Sequence, residues 1–174
     1  NNGVNFQGYE NPLTQPLNLS WTPRIINEGF FMRAESFFNF ANYIDELAET
    51  DNRIYNAYGG KSLHHQSHGE SFLALFKNQF ESGIYILDEP EAALSPARIL
   101  SFMSIINSLE NSGRAQFIIA THSPILLCYP KATIFNFDEQ GITKLQYTET
   151  EHYQLTKSFL ENPDIYLRHL FNEE

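Results

Sequence analysis

The middle of the chain alternates between short apolar runs and amphipathic segments. Residues 84–87 are four apolar side chains in a row, and residues 116–120 form a second run with one polar side chain. Between them, Ser95 can cap a helix that has Pro96 at its first position. The apolar positions of this helix, which we expect to be buried, are Ile99, Leu100, Phe102, Met103, Ile106 and Leu109. The order predicts two parallel strands buried on both faces and joined by a helix.

Similar patterns predict the rest of an α/β domain. In chain order they are a strand at 29–33, a helix from Ser36, a loop at 50–67, a helix from Phe72, a β-hairpin across 133–147, and helices at 151–160 and 163–171. Residues 1–28 contain three prolines and only short apolar pieces, which predicts an irregular lead-in with at most an edge strand. Because no repeat or linker interrupts these patterns, residues 1–174 are predicted to form one domain.

The composition limits which binding partners and which cellular compartment we expect for this chain. A net charge of -10 disfavours a broad phosphate-tracking surface, so the charge does not support a nucleic-acid partner beyond a local basic patch. The single cysteine, Cys128, permits no intrachain disulfide and follows an apolar run, so we expect a buried side chain in a reducing cytosol. No run is long and apolar enough to span a bilayer, and we therefore expect a cytoplasmic protein.

Two carboxylates, Asp88 and Glu89, end the first buried run. Charges there are costly unless they face a cleft, and open α/β sheets bind ligands at the carboxyl ends of their strands. Asp88 would hold Mg²⁺, directly or through water, and Glu89 would polarise a water molecule. The alternative is a strand that ends in an acidic surface turn. The second run ends in Thr121, His122 and Ser123, which parallel strands would bring to the same edge of the sheet.

Four short motifs resemble those of one family in order and approximate spacing. Residues 66–71, 84–89, 91–95 and 121–123 are similar to the signature motif, Walker B, D-loop and H-loop of the ABC-type ATPases. The chain most resembles the stand-alone predicted ATPases of the AAA and ABC type, over most of its length. The resemblance implies a P-loop NTPase-like fold, with a mostly parallel sheet flanked by helices and with a hairpin and helices after it.

The resemblance also implies ATP and Mg²⁺ as cofactors and assigns roles to individual residues. Asp88 resembles the Walker B aspartate that orients Mg²⁺, and Glu89 resembles the glutamate that activates water. His122 resembles the switch histidine that contacts the γ-phosphate. The implied nucleotide contacts of the signature motif and D-loop are Ser67, His68, Gly69, Glu70 and Ser95.

In the family, the signature motif reaches ATP bound to a second protomer, which implies a homodimer with nucleotide between two chains. The helix that begins near Glu70 or Ser71 would present free N–H groups to the phosphate. Here His68 replaces the first glycine of the usual signature, and Glu70 replaces its glutamine. The second replacement would put a carboxylate near a phosphate, so the role of Glu70 differs from that of the usual glutamine.

The sequence contains no convincing P-loop. Gly60, Lys61 and Ser62 imitate the end of one, but position 55 is Tyr and no apolar strand precedes them. In the family the P-loop lies upstream, so we expect this chain to be the C-terminal part of a longer ATPase domain. Two functions follow as hypotheses: Mg²⁺-dependent ATP hydrolysis in a nucleotide-sandwiched dimer, or a non-catalytic module that complements a P-loop partner.

Overall fold

The computed structural model describes residues 29–58, 60–62 and 68–171. The predicted lead-in at residues 1–28 lies outside this part. The described residues contain a three-stranded sheet in the order β1-β2-β3, with β1 at Gly29–Arg33, β2 at Gly83–Asp88 and β3 at Ala115–Ala120. Both strand pairs are parallel, which confirms the predicted strand–helix–strand unit.

The helices and the hairpin confirm an α/β fold with a C-terminal hairpin and helices. The helices are α1 (Phe37–Thr50), α2 (His68–Gln79), α3 (Pro96–Asn111), α4 (Pro124–Leu127), α5 (Glu151–Glu161) and α6 (Pro163–Phe171). Strands β4 (Ile134–Asp138) and β5 (Gly141–Leu145) pair antiparallel. The predicted loop before α2 contains a 3₁₀ helix at Asn52–Tyr58, whose short-range hydrogen bonds satisfy a polar segment. No helix in the described residues is long and apolar enough to cross a membrane.

The core lies between one face of the sheet and the helices. Tyr85 and Leu87 of β2 point into it and are almost fully buried, as are Phe72 and Phe76 of α2 and Phe102 of α3. Aromatic rings dominate the packing: the ring of Phe76 lies 4.8 Å from that of Phe102, with the two planes nearly perpendicular. Truncation of such a phenylalanine to alanine costs about 3–5 kcal/mol of stability. The core therefore fixes α2 and α3 against the strand that carries Asp88.

The opposite face of the sheet is open, which contradicts the expectation that its strands are buried on both sides. Phe31, Ile86 and Ile118 are in register across the three strands, and their side chains are 60%, 41% and 53% exposed. Alternate residues of a strand point to opposite faces, so the sequence run of apolar side chains supplies this row as well as the core. Parallel sheets normally have both faces covered. The open row is therefore an apolar surface of a kind that parallel sheets usually cover.

Two further burial predictions are wrong. Leu100 is exposed, because the buried stripe of α3 follows Ile99, Phe102 and Ile106, and Leu100 is rotated about 100° from Ile99 around the helix. Cys128 is also exposed, because the one-turn helix α4 directs Leu126 into the core and ends before Cys128.

Candidate functional site

Asp88 and Glu89 lie where β2 ends, at the carboxyl edge of the sheet. The N–H of Glu89 donates to the carbonyl oxygen of Ala120 at 2.9 Å, which extends the pairing of β2 and β3 by one residue. The backbone of Glu89 then adopts a left-handed conformation with φ of 50°, and no other non-glycine residue in the described part of the chain has a positive φ. Such a conformation costs of order 1 kcal/mol or more and is concentrated at functional sites.

His122 follows the C-terminal end of β3 and lies beside Glu89, as the strand–helix–strand topology predicts. Nε2 of His122 lies 3.3 Å from Oε1 of Glu89, an ion pair whenever the imidazole is protonated. Both side chains are more than half exposed, so solvent and ligands can reach the pair. The structure therefore places the predicted water-activating carboxylate and the predicted switch histidine next to each other.

The loop that carries His122 is held by Glu91, one of the residues of the predicted D-loop. Oε1 of Glu91 accepts hydrogen bonds from the hydroxyl of Thr121 and from the backbone N–H of His122, both at 2.7 Å. The hydroxyl of Thr121 in turn accepts from the N–H of Ser123 at 3.0 Å. Within the described residues, Oε2 of Glu91 is buried and has no hydrogen-bond partner. One carboxylate thus connects the turn after β2 to the turn after β3.

Asp88, the predicted metal ligand, forms an ion pair with Arg33 at the end of β1. Nε of Arg33 donates to Oδ2 of Asp88 at 3.0 Å, and the two residues face each other in the β1–β2 register. Both side chains are more than a third exposed, so the pair contributes little stability. The effect of the pair is local, because Oδ2 of Asp88 is already paired with the guanidinium of Arg33.

The donor set fits Mg²⁺ only together with a nucleotide. No group of three or more histidine, cysteine, aspartate or glutamate side chains in the described part of the chain could hold a metal ion. Mg²⁺ in nucleotide sites is commonly held by one or two carboxylates together with phosphate oxygens and water. Asp88 can provide one such carboxylate, and the phosphates would have to provide further ligands.

The predicted signature motif forms the first turn of α2. The helix begins at His68, slightly earlier than predicted, and Ser67 lies outside the described residues. Gly69 is buried against Arg98 of α3, and a Cβ atom at this position would lie 2.5 Å from Cδ of Arg98. The absence of a side chain at Gly69 is therefore what allows the stem of Arg98 to cross the start of α2.

Arg98 also forms an ion pair with the carboxylate in the first turn of α2. Its Nη2 lies 3.1 Å from Oε1 of Glu70, the residue that replaces the glutamine of the usual signature. The guanidinium balances the negative charge at a position where the resemblance places a phosphate. An arginine 28 positions later in the sequence is not part of any motif, and only the packing of α3 on α2 reveals it.

Ser95 occupies the N-cap position of α3, as predicted. Its backbone carbonyl accepts from the N–H of Ile99 at 3.0 Å, and Pro96 is the first helical residue. The Ser95 side chain makes no capping hydrogen bond and is exposed. It is thus available at the surface.

Four residues that contact predicted site residues were not assigned a role from the sequence: Arg33, Glu91, Arg98 and His152. Glu91 lay within the predicted D-loop, and its acidic side chain three positions after Asp88 was the available signal. His152 lies in the first turn of α5, and its Nε2 is 3.0 Å from Nδ1 of His122. No sequence signal connected it to the site, because the contact depends on how α5 packs.

Comparison with known proteins supports a nucleotide-binding class for this region. A family model described as "AAA domain, putative AbiEii toxin, Type IV TA system" matches residues 71–127, about a third of the chain. The matched segment runs from α2 to α4 and includes Asp88, Glu89 and His122. The AAA type of the matched family indicates a P-loop NTPase-like module. Neither the curated proteins nor the solved structures give a significant match.

Proposed function

We propose that this chain provides the catalytic carboxylate and the switch histidine of a Mg²⁺-dependent ATPase of the ABC type. Because this sequence contains no convincing P-loop, a P-loop from outside it would bind the phosphates of ATP. The observation that carries the proposal is the 3.3 Å contact between Glu89 and His122 at the carboxyl edge of the sheet. Ligands of open α/β sheets bind at this edge. The AAA-type family match, which spans both residues, supports the same class of function.

The proposed reaction is the attack of water on the γ-phosphorus of ATP, with release of ADP and phosphate. Glu89 would accept the proton of the attacking water, and its half-exposed carboxylate is accessible for this role. His122 would donate a hydrogen bond from Nε2 to a γ-phosphate oxygen. Mg²⁺, when bound, would neutralise phosphate charge, and Asp88 is the carboxylate that would hold it.

We further propose that two copies of the protein enclose the nucleotide. In this arrangement Ser67, His68, Gly69, Glu70 and Ser95 of one protomer would approach the ATP bound by the other. The positive end of the α2 helix dipole suits an anion, and the ion pair of Glu70 with Arg98 offsets the negative charge of the Glu70 carboxylate there. The single cysteine is consistent with a cytoplasmic location, which we also propose.

The experiment that tests the catalytic assignment is Glu89→Gln in the protein as its source produces it. We expect turnover to fall by about 10²–10⁴, the usual contribution of a general base, while ATP-dependent dimerisation persists. Glu139→Gln removes the same charge from the exposed β4–β5 turn and should leave turnover unchanged. Wild-type turnover in the Glu89→Gln protein would contradict the role of Glu89.

A second candidate function is a non-catalytic module that completes or regulates a P-loop partner. The open row of Phe31, Ile86 and Ile118 favours it, because an apolar sheet face of this kind suits a covering layer from another unit. The 174-residue chain alone should then show no ATP turnover. Turnover by the isolated chain that Glu89→Gln abolishes would exclude this candidate and support hydrolysis by the chain itself.

A further inference from the structure

His152 contacts the proposed catalytic pair from an element outside every motif. It lies in the first turn of α5, and its Nε2 is 3.0 Å from Nδ1 of His122. The two rings meet edge to face, with centroids 4.8 Å apart and planes at 78°. Since Nε2 of His122 lies 3.3 Å from Glu89, both ring nitrogens of His122 have a partner.

The protonation of these rings follows from the chemistry of their partners. An ionised carboxylate can only accept hydrogen bonds, so the neutral ring of His122 is best placed with its proton on Nε2, towards Glu89. Nδ1 of His122 then carries a lone pair and needs a donor. Nε2–H of His152 is placed to provide it. One assignment, with both imidazoles protonated on Nε2, therefore satisfies both contacts.

The backbone of His122 is fixed independently of its ring. Oε1 of Glu91 accepts the N–H of His122 at 2.7 Å, so the main chain is anchored while the side-chain torsions are not. His152 and Glu89 contact the ring from its two nitrogens and restrict those torsions. A partner on the second nitrogen of a histidine commonly sets which nitrogen bears the proton and how the ring is oriented.

We propose that His152 is a positioning residue that holds His122 in its Nε2–H tautomer, with that N–H directed to Glu89 and to the phosphate site. The part of this inference that concerns phosphate rests on the proposed ATPase function. The tautomer itself is a property of the 174-residue chain. It can be measured without nucleotide, which separates the two questions.

The first test is the tautomer of His122 in the 174-residue chain, read in mildly alkaline buffer from the ¹⁵N chemical shifts of its imidazole, which distinguish a protonated ring nitrogen from one that carries a lone pair. We expect wild type to have the proton on Nε2. His152→Phe should move His122 towards a mixture of tautomers, and His152→Gln, which keeps an N–H donor, should preserve the wild-type shifts. His169→Gln, an exposed histidine on α6, is the matched control. An Nδ1–H tautomer in wild type, or wild-type shifts in His152→Phe, would overturn the inference.

The second test is ATP turnover in the protein as its source produces it. We expect His152→Phe to lower kcat roughly tenfold or more, with KM for ATP little changed, and His152→Gln to restore most of it. Unchanged turnover in His152→Phe alongside an active wild type would overturn the positioning role and leave the ATPase proposal intact. A tautomer shift without turnover in any variant, wild type included, would overturn the ATPase proposal and leave the tautomer assignment intact.

Discussion

The carboxylate of Glu91 holds the backbone N–H of His122 at 2.7 Å across 31 positions of sequence. The same oxygen, Oε1, accepts the hydroxyl of Thr121 at the same distance. The turn after β2 and the turn after β3 are therefore linked by a side chain as well as by the sheet. His122 is positioned by this link before any ligand is considered.

Removal of the Glu91 acceptor should destabilise the chain. Glu91→Ala leaves the Thr121 hydroxyl and the His122 N–H without their shared partner, and we expect the free energy of unfolding to fall by about 1–3 kcal/mol. Glu91→Gln keeps a carbonyl oxygen on a side chain of the same length, so we expect it to lower the free energy of unfolding by less than Glu91→Ala does. Urea denaturation measures both changes, with the exposed Glu139→Ala as control. Equal stability of Glu91→Ala and wild type would show that the two hydrogen bonds are not stabilising.

We expect that position 69 requires glycine because Arg98 crosses it, and not because the helix itself needs a glycine there. An alanine Cβ would lie 2.5 Å from Cδ of Arg98, so Gly69→Ala must displace the arginine and weaken its ion pair with Glu70. Alanine favours a helix over glycine by about 0.5–1 kcal/mol. We therefore expect Gly69→Ala to stabilise the Arg98→Ala protein by up to this amount and to stabilise wild type less.

A double-mutant cycle of unfolding free energies measures the coupling between Gly69 and Arg98. The four proteins are wild type, Gly69→Ala, Arg98→Ala and the double variant. Additive effects of the two substitutions would contradict a steric relationship between these residues.

The two faces of β3 should respond differently to the same truncation. Ile119 packs against the core, whereas its neighbour Ile118 belongs to the open row and is 53% exposed. In the 174-residue chain we expect Ile119→Ala to cost about 2–4 kcal/mol and Ile118→Ala less than about 1 kcal/mol. The measurement is urea denaturation of both variants.

The same pair of variants reports on what covers the open face. If a P-loop unit packs on it in the protein as its source produces it, the cost of Ile118→Ala should approach that of Ile119→Ala there. A cost that stays small in both proteins would show that the face of Phe31, Ile86 and Ile118 is not buried in the assembled protein.

Stability should fall at high pH because of Tyr129. Its hydroxyl donates to Oε2 of Glu110 at 2.6 Å, and burial, together with this hydrogen bond and the charge of Glu110, raises the pKa of Tyr129 well above its usual range. A raised pKa means that the folded chain holds the phenol proton more tightly than the unfolded chain. The contribution to stability is complete below the unfolded pKa, near 10, and is lost progressively as pH rises above it.

Unfolding free energies between about pH 8 and pH 11.5 check this prediction. Tyr129→Phe should reduce the alkaline loss of stability, and Glu110→Gln, which keeps an acceptor but removes the charge, should reduce it partly. Parallel curves for wild type and Tyr129→Phe would contradict the assignment. Because Glu110→Gln also removes the ion-pair partner of Lys131, whose Nζ lies 3.8 Å from Oε2 of Glu110, the comparison of wild type with Tyr129→Phe decides the assignment.

Much of the fold could be predicted from local patterns. The apolar runs predicted β2 and β3, helical spacing predicted α3, and the turn residues between two β-prone segments predicted the β4–β5 hairpin. Parallel strands followed from their connection, and so did the common edge of Asp88, Glu89 and His122. Each of these inferences needs only the period of the side chains and the direction of the chain.

Burial was harder to predict than secondary structure. A run of apolar residues such as 84–87 predicts a strand, but it does not tell whether one or both faces are covered. Leu100 is an apolar residue of a predicted apolar stripe, yet it lies at the edge of that stripe and is exposed. Which apolar residues are buried depends on what packs against them, and local periodicity contains no information about that.

The sequence by itself determined the kinds of element, their order, and the carboxylates and histidine at the sheet edge. Only the tertiary structure decided the partners of those groups: Arg33 for Asp88, Glu91 and His152 for His122, and Arg98 for Glu70. The physical reason is the range of the interactions. Secondary structure follows from hydrogen bonds and side-chain periods over a few residues, whereas these contacts join positions about 30 to 55 apart, where strand register and helix packing set the geometry.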